Sequence, residues 1–293
     1  MLTQEQIHFY HENGYIGVEG VFSAEEIAEL RRVTDEFVEK SREVTESNNF
    51  FDLEPGHSPK APKLRRLKQP HGQHTVYHRA RCHDRMLDIV AQLIGPAIRV
   101  RTDKLNMKSA EYGSPVGWHQ DAAFWPHTNE DVCTVGIAID DMKLDNGGLL
   151  VIPGAHRGPV YQHHQDGYFV GTIVDPHFNP QDAVPVEVKA GGISIHHIRM
   201  PHGSAPNTSG QSRRLYLCEL RAVDAWPLTG IDGDWDKYNK MILRGKPTNR
   251  PRLEAHPVLI SLPPAPLRPG HHGGSIYEVQ SNVDRDTLVD LLR

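Results

Sequence analysis

Ile193-Ser-Ile-His-His-Ile198 reads as a strand, and it leads directly into Arg199-Met-Pro-His202-Gly-Ser204. Around it lie other short β-rich runs: Ile98 to Lys108, Val132 to Met142, Gly148 to Pro153, Gly192 to His197 and Leu215 to Ala222, punctuated by Gly, Pro and Asn. The chain before these runs is helical in pattern. Capping boxes at Thr3 with Gln6 and at Ser23 with Glu26 announce two helices. Gly14 ends the first, Tyr15-Ile-Gly-Val18 follows as a short strand, and Ile27, Leu30, Val33 and Phe37 form an apolar stripe on the second. A further helix is expected from about Arg79 to Leu93, ended by Gly95-Pro96. Helices followed by a block of strands imply a mainly antiparallel β core with helices packed on one side.

One domain over residues 1–293 accommodates these elements: a helical N-terminal part and loop (1–95), the strand core (96–223) and an irregular C-terminal segment (224–293). Within the first part, the polar, Pro-containing stretch from Ser41 to about Gly72 is too long for an ordinary connector and is expected to be a functional loop or flap. Within the last, five prolines between Ala255 and Gly270 and the run Gly270-His-His-Gly-Gly274 predict extended, irregular structure, before a short closing helix near Asp284 to Leu292. That segment is expected to cover the site mouth.

With 38% hydrophobic residues in 293, the chain can bury a sizeable core without staples. The net charge of −5 is spread without a basic tract, which argues against nucleic acid as a partner. The N-terminus lacks the order of a signal peptide and no apolar run reaches membrane-helix length, so a cytoplasmic protein with no membrane partner is expected. Cys82, Cys133 and Cys218 show no C-x-x-C spacing and read as reduced, packed thiols. The 19 histidines supply candidate metal ligands, but also make chance His-x-Asp matches common, so a single pair decides nothing.

Trp118-His119-Gln120-Asp121 places an imidazole and a carboxylate two residues apart, and on extended backbone both leave from one face. A third ligand must come from elsewhere, and His202 could face the pair across a sheet or barrel. Two imidazoles and one carboxylate leave adjacent positions open on an iron, which suits a bidentate 2-oxo acid and dioxygen. The far carboxylate of 2-oxoglutarate then calls for a fixed bidentate cation; Arg213 lies eleven residues after His202, with Arg214 on the opposite face. A second His-x-Asp, His164-Gln-Asp166, sits in a polar stretch with no strand pattern around it.

Taken together, these motifs resemble the phytanoyl-CoA dioxygenase family, which includes ectoine hydroxylase. The likeness runs from Thr3–Gly20 through Asn146-Gly-Gly-Leu-Leu-Val-Ile-Pro-Gly-Ala-His156 and Ala190-Gly-Gly192 to His202-Gly-Ser-Ala-Pro-Asn207 and Arg213. The resemblance implies a double-stranded β-helix (jelly-roll, cupin-like) core. It implies Fe(II) held by His119, Asp121 and His202, and 2-oxoglutarate bound by Arg213, Asn106 and Ser204. It also implies an aromatic wall at Trp125 beside the substrate, where an ordinary core aromatic is the competing reading. Lys104 and Lys108, on the strand face of Asn106, line the pocket or carry solvated edge charges. Gly136 departs from phytanoyl-CoA hydroxylase itself, which has Trp there.

The activity so implied is hydroxylation of a small-molecule C–H bond with O2 and 2-oxoglutarate, releasing succinate and CO2. Asp121 argues against the related halogenases, which have a small residue at that position. Two other readings stay open: a facial-triad metal enzyme without 2-oxoglutarate, such as a ring-cleaving dioxygenase or cupin-like isomerase, and a silent binding protein of the same fold. The basic residues and Trp125 are compatible with an anionic substrate but do not choose one.

Overall fold

In a computed structural model of the chain, the structure describes residues 1–231, 233–259, 275–281 and 283–292. Reciprocal caps form at Thr3 and Gln6 on α1 (Gln4–Asn13), and at Ser23 and Glu26 on α2 (Ala24–Lys40), as expected. Gly14 closes α1 in the left-handed region, φ 76°. The stripe on α2 is buried at Ile27, Leu30, Val33 and Phe37.

The helix expected over 79–93 is two helices, α3 (Thr75–Arg81) and α4 (Asp84–Ile94). The rings of His74 and His83 cap them, accepting from the backbone N–H groups of Val76 and Met86. Histidine is not among the favoured capping residues, so the sequence carries no boundary signal at Cys82-His83.

The strands, in chain order, are β1 (Tyr15–Val18), β2 (Phe51–Leu53), β3 (Leu64–Lys68), β4 (Ile98–Lys108), β5 (Val116–His119), β6 (Val132–Ala138) and β7 (Leu149–Val151). They continue as β8 (His164–Gln165), β9 (Tyr168–Phe169), β10 (Val184–Val186), β11 (Ile193–His197), β12 (His202–Ser204), β13 (Arg213–Ala222) and β14 (Ile242–Arg244). A large sheet has the order β1-β11-β6-β13-β4-β3-β2, with β14 added against β4; a small sheet has the order β10-β7-β12-β5; β8 and β9 form a hairpin. The chain passes back and forth between the two sheets, β4 to β5 to β6 to β7, then β10 to β11 to β12 to β13. That antiparallel winding extends the antiparallel core expected from the strand block and is the jelly-roll that the resemblance implies.

Each face of the large sheet has its own cover. On one side Leu30, Val33, Tyr77 and Ile89 of the helices meet Leu105, Val135, Ile137 and Tyr216. On the other, Ala138 and Leu215 pack against Leu149, Val151 and Val186 of the small sheet. The strand period of two therefore sends alternate residues of β4, β6, β11 and β13 towards the helices or into the space between the sheets.

The segment from Ser41 to Gly72 is not simply a flap. Its residues 51–53 and 64–68 form β2 and β3, which extend the large sheet through the pairs Arg66 with Asn106 and Lys68 with Lys104. Leu64 and Leu67 are buried against the helices, while Arg66 is buried at 4% exposure on the opposite side. Only part of the charge in this stretch is buried, at Asp52, Glu54 and Arg66.

The C-terminal segment is likewise more ordered than its composition suggests, with α5 (Trp235–Asn239), α6 (Ile276–Gln280) and α7 (Arg285–Asp290). Residues 255–259 have no regular structure, and the rest of the Pro-rich run with Gly270-His-His-Gly-Gly274 lies outside the described residues. α6 and α7 lie across β5. The Gln280 side chain accepts from Gly117 N–H at 2.9 Å and donates to Gly171 O at 2.7 Å, and Trp118 Nε1 donates to Leu291 O at 2.5 Å.

Gly117 is what permits this approach: a Cβ there would lie 2.5 Å from Leu288 Cδ2 and 2.8 Å from Thr172 Oγ1. Gly117→Ala should lower the unfolding free energy by about 1–3 kcal/mol through overpacking, read as an earlier urea midpoint. An unchanged midpoint would show that α7 is not held against β5. Among the described residues, no helix is long and apolar enough to cross a membrane.

Candidate metal centre

β5 carries His119 at its end, and Gln120 remains extended (φ −121°, ψ 129°) before Asp121 opens a short 3-10 turn. The two side chains therefore leave from one face, as the His-x-Asp spacing requires. His202 begins β12 directly opposite His119 in the antiparallel register. The two rings lie 4.0 Å apart between centroids. One ligand atom from each of His119, Asp121 and His202 falls within 4.8 Å of the others, and all three residues are buried.

Each imidazole is oriented by a carbonyl two residues before it. His119 Nδ1 lies 2.8 Å from Gly117 O, and His202 Nδ1 lies 2.9 Å from Met200 O. Since a carbonyl only accepts, Nδ1 carries the proton and Nε2 keeps its lone pair. Burial reinforces the neutral form, pushing His119 down to about 4 and His202 well below the usual histidine value. Burial alone would raise the Asp121 carboxyl, but the nearby His196, His202 and Lys104 hold it well below the usual carboxylate range. Thr134 Oγ1 donates to Asp121 Oδ2 at 2.7 Å, and His196 Nε2 stands 3.6 Å from the same oxygen. Two neutral imidazoles and one ionised carboxylate, converging with one carboxylate oxygen free, fit a divalent iron.

Two cavities meet at this centre. The inner one, about 60 Å³, is lined by Arg213, Ser204, Asn106, Thr134, His196 and Tyr277 among others. Arg213 is 3% exposed, and its Nη2 donates to Gly147 O at 2.6 Å while Nε has no partner. Burial lowers it to about 10, which leaves it a cation at neutral pH. The outer cavity, about 620 Å³, reaches His119 and Asp121 past Phe124, Trp125, Arg101, Lys104 and Arg66, with Ile276 and Val279 of α6 on its wall.

The sequence candidates are thus sorted. His119, Asp121 and His202 come together; Arg213, Asn106 and Ser204 share the inner cavity; Trp125 lines the outer one, with the Arg101 guanidinium 5.2 Å over its ring. Lys104 lines both cavities, paired with Glu219 at 2.8 Å. Lys108 does not line either: its ammonium donates to Ser204 O at 3.1 Å and to Ala205 O, so it props the end of β12. The shared strand face with Lys104 was a correct reading, but nearby carbonyls capture the longer-range side chain. His164 and Asp166 lie on the β8–β9 hairpin, outside the metal cluster.

Sequence reasoning missed Arg66, Thr134, His196 and Tyr277. Thr134 and His196 become neighbours only through the pairing of β6 with β11, which local sequence pattern does not show. Gly136 is small for a reason: a Cβ there would lie 2.7 Å from Ser194 Oγ and 3.0 Å from Leu215 Cδ1, so a large side chain has no room.

A sequence profile of the phytanoyl-CoA dioxygenase family matches residues 10–215. A probable alpha-ketoglutarate-dependent hypophosphite dioxygenase of Stutzerimonas stutzeri is 33% identical over 282 residues, covering 94% of this chain and 96% of that protein. A phytanoyl-CoA dioxygenase of Arabidopsis thaliana is 26% identical, covering 82% of this chain and 95% of that protein. Among solved structures, EctD from S. alaskensis superposes with a TM-score of 0.63 at 21% identity, covering 88% of this chain and 89% of that one, which supports the fold. By sequence and by fold, the chain belongs to the phytanoyl-CoA dioxygenase family and is an iron(II)- and 2-oxoglutarate-dependent dioxygenase.

Proposed function

We propose that the enzyme hydroxylates a small anionic molecule, with iron held by His119, Asp121 and His202 and 2-oxoglutarate held by Arg213, Asn106 and Ser204. One observation carries the ligand assignment: both imidazoles have Nδ1 tied to a carbonyl, so both Nε2 lone pairs are left for one point that Asp121 also reaches. When bound, iron and 2-oxoglutarate activate dioxygen, the 2-oxo acid leaving as succinate and CO2 and one oxygen atom going to the substrate.

The chain's own residues supply the rest. Thr134 fixes Asp121 through one oxygen and leaves the other for the metal. Arg213, buried in the inner cavity, offers a preformed guanidinium fork to the far carboxylate of the cosubstrate. Trp125, Phe124, Ile276 and Val279 give the outer cavity an apolar wall that limits water near the reacting centre.

Charge supports the anionic reading. Arg66, Lys68, Arg101 and Lys104 line the outer cavity, where Glu219 is shared by Arg101 and Lys104. Asp103 is engaged by His71 and Arg81. A divalent iron and Arg213 would balance Asp121 and the two carboxylates of 2-oxoglutarate, so the wall keeps a positive surplus for the substrate. Hypophosphite, for which the Stutzerimonas relative is named as a probable hypophosphite dioxygenase, is also an anion.

Metal removal tests the reading. After chelation and dialysis, candidate-dependent succinate formation should vanish, and Fe(II) should restore it where Zn(II) does not. Succinate formation that survives chelation, or returns equally with zinc, would defeat the assignment.

A further inference from the structure

Arg66 is a buried cation with no carboxylate at bonding distance among the described residues. Its Nε donates to Asn106 Oδ1 at 3.0 Å, and its Nη2 has no partner. The acids around it are engaged elsewhere: Asp52 bonds Arg65 at 2.8 Å and the Ser275 hydroxyl, and Glu219 bonds Arg101 and Lys104. The Tyr277 ring covers the guanidinium at 5.2 Å, leaving the donor edge as the way to reach it. A buried charge without a counter-charge is costly to the fold, and a charged group facing a cavity can fix the orientation of a ligand there and make it specific.

Which ligand follows from the cavities. Arg66 lines both of them, while Arg213 lines only the inner one. With Arg213 serving the far carboxylate of 2-oxoglutarate, a second guanidinium for the same group is not required. The outer cavity is about 620 Å³, far larger than a bare inorganic oxyanion needs, and Phe124, Trp125, Ile276 and Val279 make part of its wall apolar.

We propose that Arg66 receives the anionic head of the substrate, and that the substrate is an organic anion with a compact carboxylate or phosphonate head and an apolar body seated against Trp125 and α6. This rests on the 2-oxoglutarate reading above. Arg66 acts in specificity and binding, holding the substrate so that its body, not its head, is offered to the metal.

The test uses the full-length protein loaded with Fe(II) and 2-oxoglutarate under anaerobic conditions. A panel of alkyl and aryl phosphonates and carboxylates, with hypophosphite as the bare oxyanion, is titrated while the visible iron-to-cosubstrate charge-transfer band is followed. Organic anions should perturb the band at much lower concentration than hypophosphite. Arg66→Gln should weaken the best probe by at least about 30-fold, the loss expected when one partner of a desolvated charge pair is removed. Its charge-transfer band with 2-oxoglutarate should still form and saturate, which reports that it folds. Because Arg66 bonds Asn106, some cosubstrate affinity is lost, but by a much smaller factor than the probe affinity, and Arg66→Lys should recover part of the probe affinity because it keeps the charge without the fork.

An Arg66→Gln protein that loses 2-oxoglutarate affinity and keeps probe affinity would overturn the proposal. So would hypophosphite binding as tightly as the organic anions, or a wild-type band that no anion perturbs. Absence of any band in wild type is a different failure, that of the 2-oxoglutarate reading itself.

Discussion

Arg213→Ala should raise the concentration of 2-oxoglutarate needed for half-saturation by about 100-fold or more, with iron retained. The size follows from the setting. Arg213 is buried, its Nε is unpartnered, and its Nη2 is anchored on Gly147 O, so the guanidinium is held in place before the cosubstrate arrives. Removing one partner of a desolvated, hydrogen-bonded charge pair costs about 2–5 kcal/mol, because the other charge is left buried alone. Arg213→Lys should recover only part, since an ammonium lacks the fork. Arg214 provides the internal control. It pairs with Asp140 at 2.7 Å and Asp35 at 2.6 Å on the other face of β13, so Arg214→Ala should affect stability and leave cosubstrate affinity within about 3-fold. Equal 2-oxoglutarate affinity in Arg213→Ala and wild type would remove Arg213 from the site.

His202→Ala should abolish stable iron binding and lower turnover by at least about 1000-fold. Two of three protein ligands cannot fix the open face that the chemistry needs, and His202 is the proposed ligand that stands opposite His119 where β12 pairs with β5. Iron content after gel filtration and turnover with added Fe(II) are the two readouts. Thr134→Val should be graded by comparison, weakening iron by about 10–100-fold, as expected for a residue that orients a ligand without touching the metal. Full iron occupancy in His202→Ala would mean that the metal sits elsewhere.

Much of the fold was legible because the strands of the core are short, β-rich and punctuated by Gly, Pro and Asn, and the two N-terminal caps use ordinary capping residues. The His-x-Asp pair was legible because its spacing has chemical meaning only on extended backbone, which Gln120 provides. Arg213 and His202 were found as a spaced set. Arg66 was hidden in a charged stretch, since nothing in Leu64-Arg-Arg-Leu-Lys68 says that one arginine points inward while its neighbour meets Asp52 near the Tyr277 ring. Tyr277 was hidden for a related reason. Its contact with the site depends on α6 returning across β5, a long-range approach made possible by Gly117 and not written in local pattern. Lys108 shows the converse error, a correct strand face with the wrong destination for a long side chain.

One iron and one 2-oxoglutarate are expected to bind together at this centre. Anaerobic titration of the Fe(II)-loaded protein with 2-oxoglutarate, followed by visible absorption, tests it most directly. A weak charge-transfer band should grow and saturate at one equivalent per iron. Iron verified as bound, with no band at any 2-oxoglutarate concentration, would contradict it.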